Sequence, residues 1–338
     1  MPRTGPFARL CAAFLIVVTV VTGCSTAGGS SPAATPSEVA PSGSAAGAAC
    51  ATAPAPADLS AWGQPETTPT LIPLLVTNYV ACGQARILFL YLDASNNVAS
   101  APDRTATVDF YNLGRDPNTV AATAEGAFVW TIEDERGMYI LDVDLPEAGT
   151  WGAEFTTTAP GSAAETVRLT FEVHDTSPTV AVGAKAPASD TPTLDDVGGD
   201  IAQISTDTDP VPAFYATSVA DALAANEPFV LVFATPKFCT SAQCGPTLDQ
   251  LKPVAAAHPD VTFINVEPYK LKVVDGQLQP DLDANGALQA TDITNQWGLL
   301  AEPWIFAVDG DGIVRGSYEL IVSEAELDEA LEVIAPAS

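Results

Sequence analysis

The sequence predicts two folded parts in series: an all-β antiparallel sandwich, then an α/β domain. Three observations predict this. Between residues 68 and 175, seven short alternating or apolar runs are separated by turn residues, with almost no helical period. From about residue 201, strand-like runs alternate with amphipathic helical ones. Between the two, residues 177–200 carry Pro and Gly without period, as in Val182-Gly-Ala-Lys-Ala-Pro187 and Val197-Gly-Gly-Asp200, and read as a linker.

The chain opens on an address. Arg3 and Arg9 give a short positive region, residues 10–22 are almost wholly apolar, and Val21-Thr22-Gly23-Cys24 follows. The apolar run is too short to span a bilayer and ends in small residues, as a cleaved signal does. The Val-Thr-Gly-Cys run resembles the lipobox of bacterial lipoproteins. That resemblance implies a signal peptide over 1–23, a mature chain starting at Cys24, and lipid on Cys24 anchoring it to the extracytoplasmic face of the cell membrane. Residues 24–60 are rich in Ala, Ser, Gly and Pro, with Glu38 and Asp58 the only charges over 25–58. Such a stretch cannot bury enough surface to offset its ordering entropy, so it reads as a disordered tether.

The sandwich is expected over 61–176. Its candidate strands are 70–76, 86–93, 106–111, 128–132, 138–143, 150–156 and 165–173, with Trp130 and Trp151 as core or edge packing. The stretch Asp144-Leu-Pro-Glu-Ala-Gly-Thr-Trp-Gly-Ala-Glu154 looks like the turn and strand start of immunoglobulin-like modules. That is a likeness to a superfold and says little about a ligand.

The α/β domain is expected over 201–338. Residues 201–205 read as a short strand. Ser218 caps a helix ending at Asn226. Residues 229–233 are a fully buried type of strand, and 246–258 a helix with Leu248, Leu251 and Val254 on one face. Strand 261–266, helix 291–299 and strand 304–308 follow. Asp309-Gly-Asp-Gly312 is a hairpin turn pairing 313–318 back, and 323–334 is the closing helix.

Charge and cysteines narrow the function. The 338 residues carry a net charge of −29; loss of Arg3 and Arg9 leaves 11 basic against 42 acidic residues, or −31. That argues against nucleic acid and suits a soluble exported protein. With Cys11 in the signal and Cys24 lipidated, Cys50, Cys82, Cys239 and Cys244 remain, an even number in an oxidising compartment. Four cysteines allow three pairings. The local pair Cys239–Cys244 leaves Cys50–Cys82 as a structural bond tying the end of the tether to the sandwich.

Cys239 and Cys244 carry the chemistry. They follow the apolar run Pro228-Phe-Val-Leu-Val-Phe-Ala234 and precede a helical pattern opening at Pro246. A helix N-terminus offers unpaired N–H groups and a favourable dipole, which stabilise a thiolate. Five positions on a helix place side chains about 140° apart, so a bond requires Cys239 outside the helix.

The run Val232-Phe-Ala-Thr-Pro-Lys-Phe-Cys239, the Glu302-Pro303-Trp304 step before a late strand and the final hairpin and helix together resemble a thioredoxin fold over 201–338. The resemblance implies thiol–disulfide exchange, with Cys239 as attacking thiol, Cys244 resolving the mixed disulfide, and Pro303 as a cis-proline shaping the partner groove. Partners would be exported protein substrates or a membrane redox protein, and no cofactor is implied. Two departures stand out. Four residues separate the cysteines where the family has two. Phe233 occupies the position of the family's buried acid, so that proton acceptor is missing. Glu302 would raise a thiol pKa; Lys237 and the helix end would lower it.

Three other readings compete. A scaffold lipoprotein would use the domain only as a binding surface, with Cys239–Cys244 an inert bond. A copper carrier would join the thiols to a histidine, but neither His174 nor His258 is marked as a ligand. Asp281, Asp283 and Asn285 with Gly286, and Asp292 at the twelfth position, match a calcium-loop spacing, although Asp replaces the longer bidentate Glu. The two histidines leave most hydrolytic metal chemistry without ligands.

Overall fold

A computed structural model describes residues 49–63 and 68–335. The expected signal peptide, the expected lipidation at Cys24 and the tether reading up to residue 48 fall outside the described residues.

The first half contains β1 (Leu71–Leu75), β2 (Val80–Ala81), β3 (Gly83–Asp93), β4 (Thr105–Asn112), β5 (Ala122–Glu125), β6 (Ala127–Ile132), β7 (Arg136–Leu145), β8 (Gly149–Thr158) and β9 (Glu165–His174). They form two sheets, ordered β1-β3-β7-β6 and β2-β9-β8-β4-β5. Alternate residues of both meet in one core: Ile87, Phe89 and Tyr91 of β3 and Tyr139 and Leu141 of β7 pack with Val108, Phe110, Trp151 and Phe155. The seven runs read from the sequence are all strands. β2, of two residues, and the polar β5 lack a readable pattern. β5 passes straight into β6 as the chain changes sheets. Gly126 makes that crossing possible, because a Cβ there would lie 2.8 Å from the Phe89 ring.

Residues 49–62 are built onto this sandwich. Cys50 is bonded to Cys82, Ala53 N–H donates to Ala148, and Trp62 packs edge-on against Tyr111. The tether read as running to residue 60 is therefore docked over its last part, held by the disulfide and one large apolar side chain.

The linker region is docked as well. Val180 is buried, Gly183 N–H donates to Val314 O, and Val314 N–H donates back to Ala184 O. Residues 201–205, expected as a strand, instead form a 3-10 turn over Ile201–Gln203. Ile201 and Ile204 lie three apart and pack against the same core, so burial here follows a helical period rather than period two.

The second half continues with α1 (Val219–Ala225), β10 (Phe229–Phe233), α2 (Cys244–Ala257), β11 (Thr262–Val266), β12 (Leu271–Val274), β13 (Gln277–Pro280), α3 (Asp292–Trp297), β14 (Trp304–Val308), β15 (Val314–Glu319) and α4 (Glu324–Ile334). The main sheet runs β11-β10-β14-β15, with β10 parallel to β11 and antiparallel to β14. Apolar residues cover both its faces. Val230 and Val232 meet Leu248 and Leu251 of α2 and Leu327 and Leu331 of α4. Phe229, Leu231 and Phe233 meet Val219 of α1 and Trp297 of α3. This two-sided cover is why all five residues of β10 are apolar and buried.

The described chain is thus β-rich, with several sheets and few helices, and the described residues of both halves belong to one compact unit. Their junction is apolar at the centre: Leu88, Leu90, Met138 and Ile140, on the outer face of β3 and β7, pack with Leu320 and Ile321. Arg86 closes one side. Its guanidinium forks onto the Glu326 carboxylate at 2.5 and 3.1 Å and donates to Ile321 O at 2.9 Å. Among the described residues, no helix is long and apolar enough to cross a membrane.

Candidate functional site

β10, an interior strand, ends at Phe233, and residues 234–238 carry the chain on to Cys239. Cys239 and Cys244 are disulfide-bonded, with Cα atoms 6.0 Å apart. Cys239 stands before α2 and is partly exposed; Cys244 is the first residue of α2 and fully buried. Ala242, between them, has φ 62°. A left-handed residue turns the chain back within the six-residue span and brings together two sulfurs that a helix would hold apart. For alanine this conformation costs about 1–2 kcal/mol.

Three groups surround the sulfurs. The Cys244 N–H donates to Cys239 Sγ at 3.2 Å, an unpaired helix N–H spent on sulfur. Ser241 Oγ lies 3.3 Å from Cys239 Sγ and donates to the Glu302 backbone O at 2.7 Å. The Glu302 carboxylate is buried. Its Oε1 accepts from the Thr240 N–H and hydroxyl, each at 2.7 Å, and its Oε2 from the Tyr269 hydroxyl at 2.5 Å. Burial, then the Glu302 bond and charge, push the Tyr269 hydroxyl well above the usual phenol range. One Glu302 oxygen and both sulfurs lie within 4.8 Å of one another. The Glu302–Pro303 bond is cis, and Pro303 O accepts from Leu320 N–H, linking this loop to the end of β15.

Lys237 does not serve the sulfurs. Its ammonium donates to Leu278 O at 3.2 Å and lies over the Phe238 ring. Phe233 faces the core with Trp297 on the far side of the sheet from α2. A different acid lies beneath the approach to Cys239. Glu267, one residue past β11, accepts the Thr206 N–H at 2.6 Å, and Thr206 Oγ1 in turn accepts the Lys237 N–H. Burial raises the Glu267 carboxyl to about 7. The sequence signal for it was an acid directly after a buried strand. Tyr269, Thr240 and Ser241 carried no such signal, because their roles depend on residues about sixty or thirty positions away.

Cys50–Cys82 is formed as expected, with Cα atoms 6.4 Å apart. The calcium-spaced residues are not gathered. Asp281 pairs with Lys272 at 2.7 Å, Asp283 accepts the N–H groups of Asn285 and Ala287 in its own turn, and Asp292 faces Lys270 at 3.7 Å. Neither histidine approaches the sulfurs: His174 stacks on Tyr79, and His258 is exposed past the end of α2. Among the described residues, the one group of three or more metal-type donors is Cys239, Cys244 and Glu302. While the sulfurs are bonded to each other, that set offers no thiolate.

No protein-family model and no curated protein matches the chain. Among solved structures, a DUF4426 family protein from Pseudomonas aeruginosa PAO1 matches at 12% identity and TM-score 0.22, over 33% of this chain and 98% of that one. A conjugative transposon lipoprotein from Bacteroides eggerthii matches at 11% and 0.18, over 31% and 96%. MtrC from Shewanella baltica matches at 13% and 0.22, over 57% of this chain and 33% of that one. At these TM-scores the likenesses carry no argument about fold or function.

Proposed function

We propose that this chain is an extracytoplasmic thiol–disulfide oxidoreductase, lipid-anchored through Cys24, that exchanges disulfides with exported proteins through Cys239 and Cys244. In this reading the first half is an immunoglobulin-like sandwich and the second a thioredoxin-like domain. The observation that carries it is a bonded cysteine pair at a helix N-terminus, with one partly exposed sulfur and one buried, beside a buried carboxylate. The sheet order and the position of Pro303 before β14 support the domain assignment.

With the pair reduced, the Cys239 thiolate attacks a partner disulfide. One partner sulfur leaves as a thiolate, and Cys239 is held in a mixed disulfide. The Cys244 N–H stabilises the Cys239 charge. Cys244 then passes its proton to Glu302 and attacks Cys239 Sγ, releasing the second partner sulfur as a thiolate. The partner has gained two electrons, and the 239–244 bond is restored. A membrane redox partner would return the electrons. Glu302 takes over the task left open at Phe233.

The test is a redox titration with thiols alkylated and located by peptide mass. Reversible reduction of 239–244 between about −120 and −270 mV, with 50–82 closed, is expected. Resistance of both bonds to below about −300 mV would favour the second reading, a non-catalytic scaffold with a structural bond. The complete burial of Cys244 is the observation on that side.

A further inference from the structure

β6, the first turns of α2 and residues 321–325 line an open groove of about 800 Å³, and Gln243, the residue before Cys244, is among its lining. One wall is residues 128–133, which are β6 from its second residue and the residue after it. Successive strand side chains point to opposite faces, so six consecutive residues line a groove only where a strand presents its edge. β6 is the outer strand of its sheet, paired only with β7 among the described strands. It is regular from Ala127 to Trp130, and its register shift falls between Trp130 and Ile132. Six residues span about 20 Å, the length of an ordinary strand. The groove walls carry Glu133, Asp249 and Glu324 and no Lys, Arg or His; of the three, Asp249 is already paired, with Lys252 behind the wall at 2.9 Å.

We infer that this groove takes an extended, basic segment of a partner polypeptide, added as a strand to the free edge of β6, and leads it to Cys239. The inference rests on the exchange reading for its purpose but not for its binding. Edge addition supplies main-chain bonds that are indifferent to sequence, and alternate side chains meet the carboxylates on the walls. A second copy of the chain is the poorer occupant, since each copy brings the same acidic walls and a net charge of −29.

The experiment uses the full chain with both disulfides intact and a fluorescein-labelled ten-residue peptide of alternating lysine and valine, without cysteine. Anisotropy should show at least about tenfold tighter binding than for the glutamate–valine peptide. N-methylation of the amides on one edge of the lysine peptide should weaken binding at least tenfold, as should Glu133→Lys, with Glu324→Gln giving a smaller loss. Binding should survive Cys239→Ser with Cys244→Ser. If it does while the redox titration finds an inert bond, the groove stands and exchange falls. If exchange proceeds but the lysine peptide binds no better than the glutamate peptide, or N-methylation has no effect, the groove assignment is overturned. It is overturned equally if the chain dimerises in sedimentation and Glu133→Lys dissolves the dimer, for then a second copy is the occupant.

Discussion

Glu302 concentrates the chemistry of the site in one side chain. It is buried, holds Thr240 and Tyr269, and has an oxygen within 4.8 Å of both sulfurs. Glu302→Gln keeps the shape and removes the proton acceptor proposed for Cys244. Turnover in an insulin-reduction assay should fall by about 10²-fold, with the folded state retained by circular dichroism. Glu267 acts on stability instead. Burial raises its carboxyl from 4.5 to about 7, so the fold favours the neutral form. Its contribution is fully present below pH 4.5 and is lost as pH rises toward 7, on the order of 3 kcal/mol in all. Glu267→Gln should flatten that loss, and urea midpoints at pH 5 and pH 8 would show whether it does.

At the scale of elements, α4 shows how one carboxylate can serve two ends. Ser323 caps the helix by accepting the Glu326 N–H, while Glu326 reaches back to the Ser323 N–H. The same carboxylate receives Arg86 from β3. Ser323→Ala should cost about 1 kcal/mol in denaturant unfolding. Much at this scale was legible in the sequence. β10 was marked by an unbroken apolar run, α1 by Ser218 and Asn226, and the 309–312 turn by its glycines. The β12–β13 hairpin was missed although Asp275-Gly276 marks it, both residues having positive φ. The strand at 201–205 was misread because two isoleucines three apart fit a turn of 3-10 helix. The sulfur pair was legible because its members lie five apart. The nearness of Glu302 to the sulfurs was read from its place beside Pro303, but its contacts with Thr240 and Tyr269 were not, since Thr240 and Glu302 are joined only when β14 lies beside β10.

Over the whole molecule, the two halves act as one through the junction at Arg86. Burial alone would raise the Glu326 carboxyl, but the Arg86 bond and charge and the Ser323 groups hold it below its ordinary value. That stabilisation is present above the ordinary carboxylate pKa and lost as pH falls through the lowered one. Arg86→Ala leaves Glu326 without its partner at 19% side-chain exposure. Discounted for that exposure, the loss is about 2 kcal/mol, and calorimetry should show it as an earlier and broader transition. The apolar run of β3 also belongs to this scale. Ile-Leu-Phe-Leu-Tyr is hydrophobic at every position because the sandwich core lies on one side and Leu320 and Ile321 lie on the other.

The Cys50–Cys82 bond has a mechanical meaning. Its partners are separated by 32 residues in sequence and 6.4 Å in space. Tension applied from the N-terminus enters Cys50 and crosses directly into Cys82, bypassing the intervening loop that contains Trp62 and β1. While the bond holds, those residues bear no load and cannot be drawn out. Once it is reduced, the loop becomes part of the force path. A single-molecule pulling trace should then lengthen by about 100 Å before the rest of the sandwich yields.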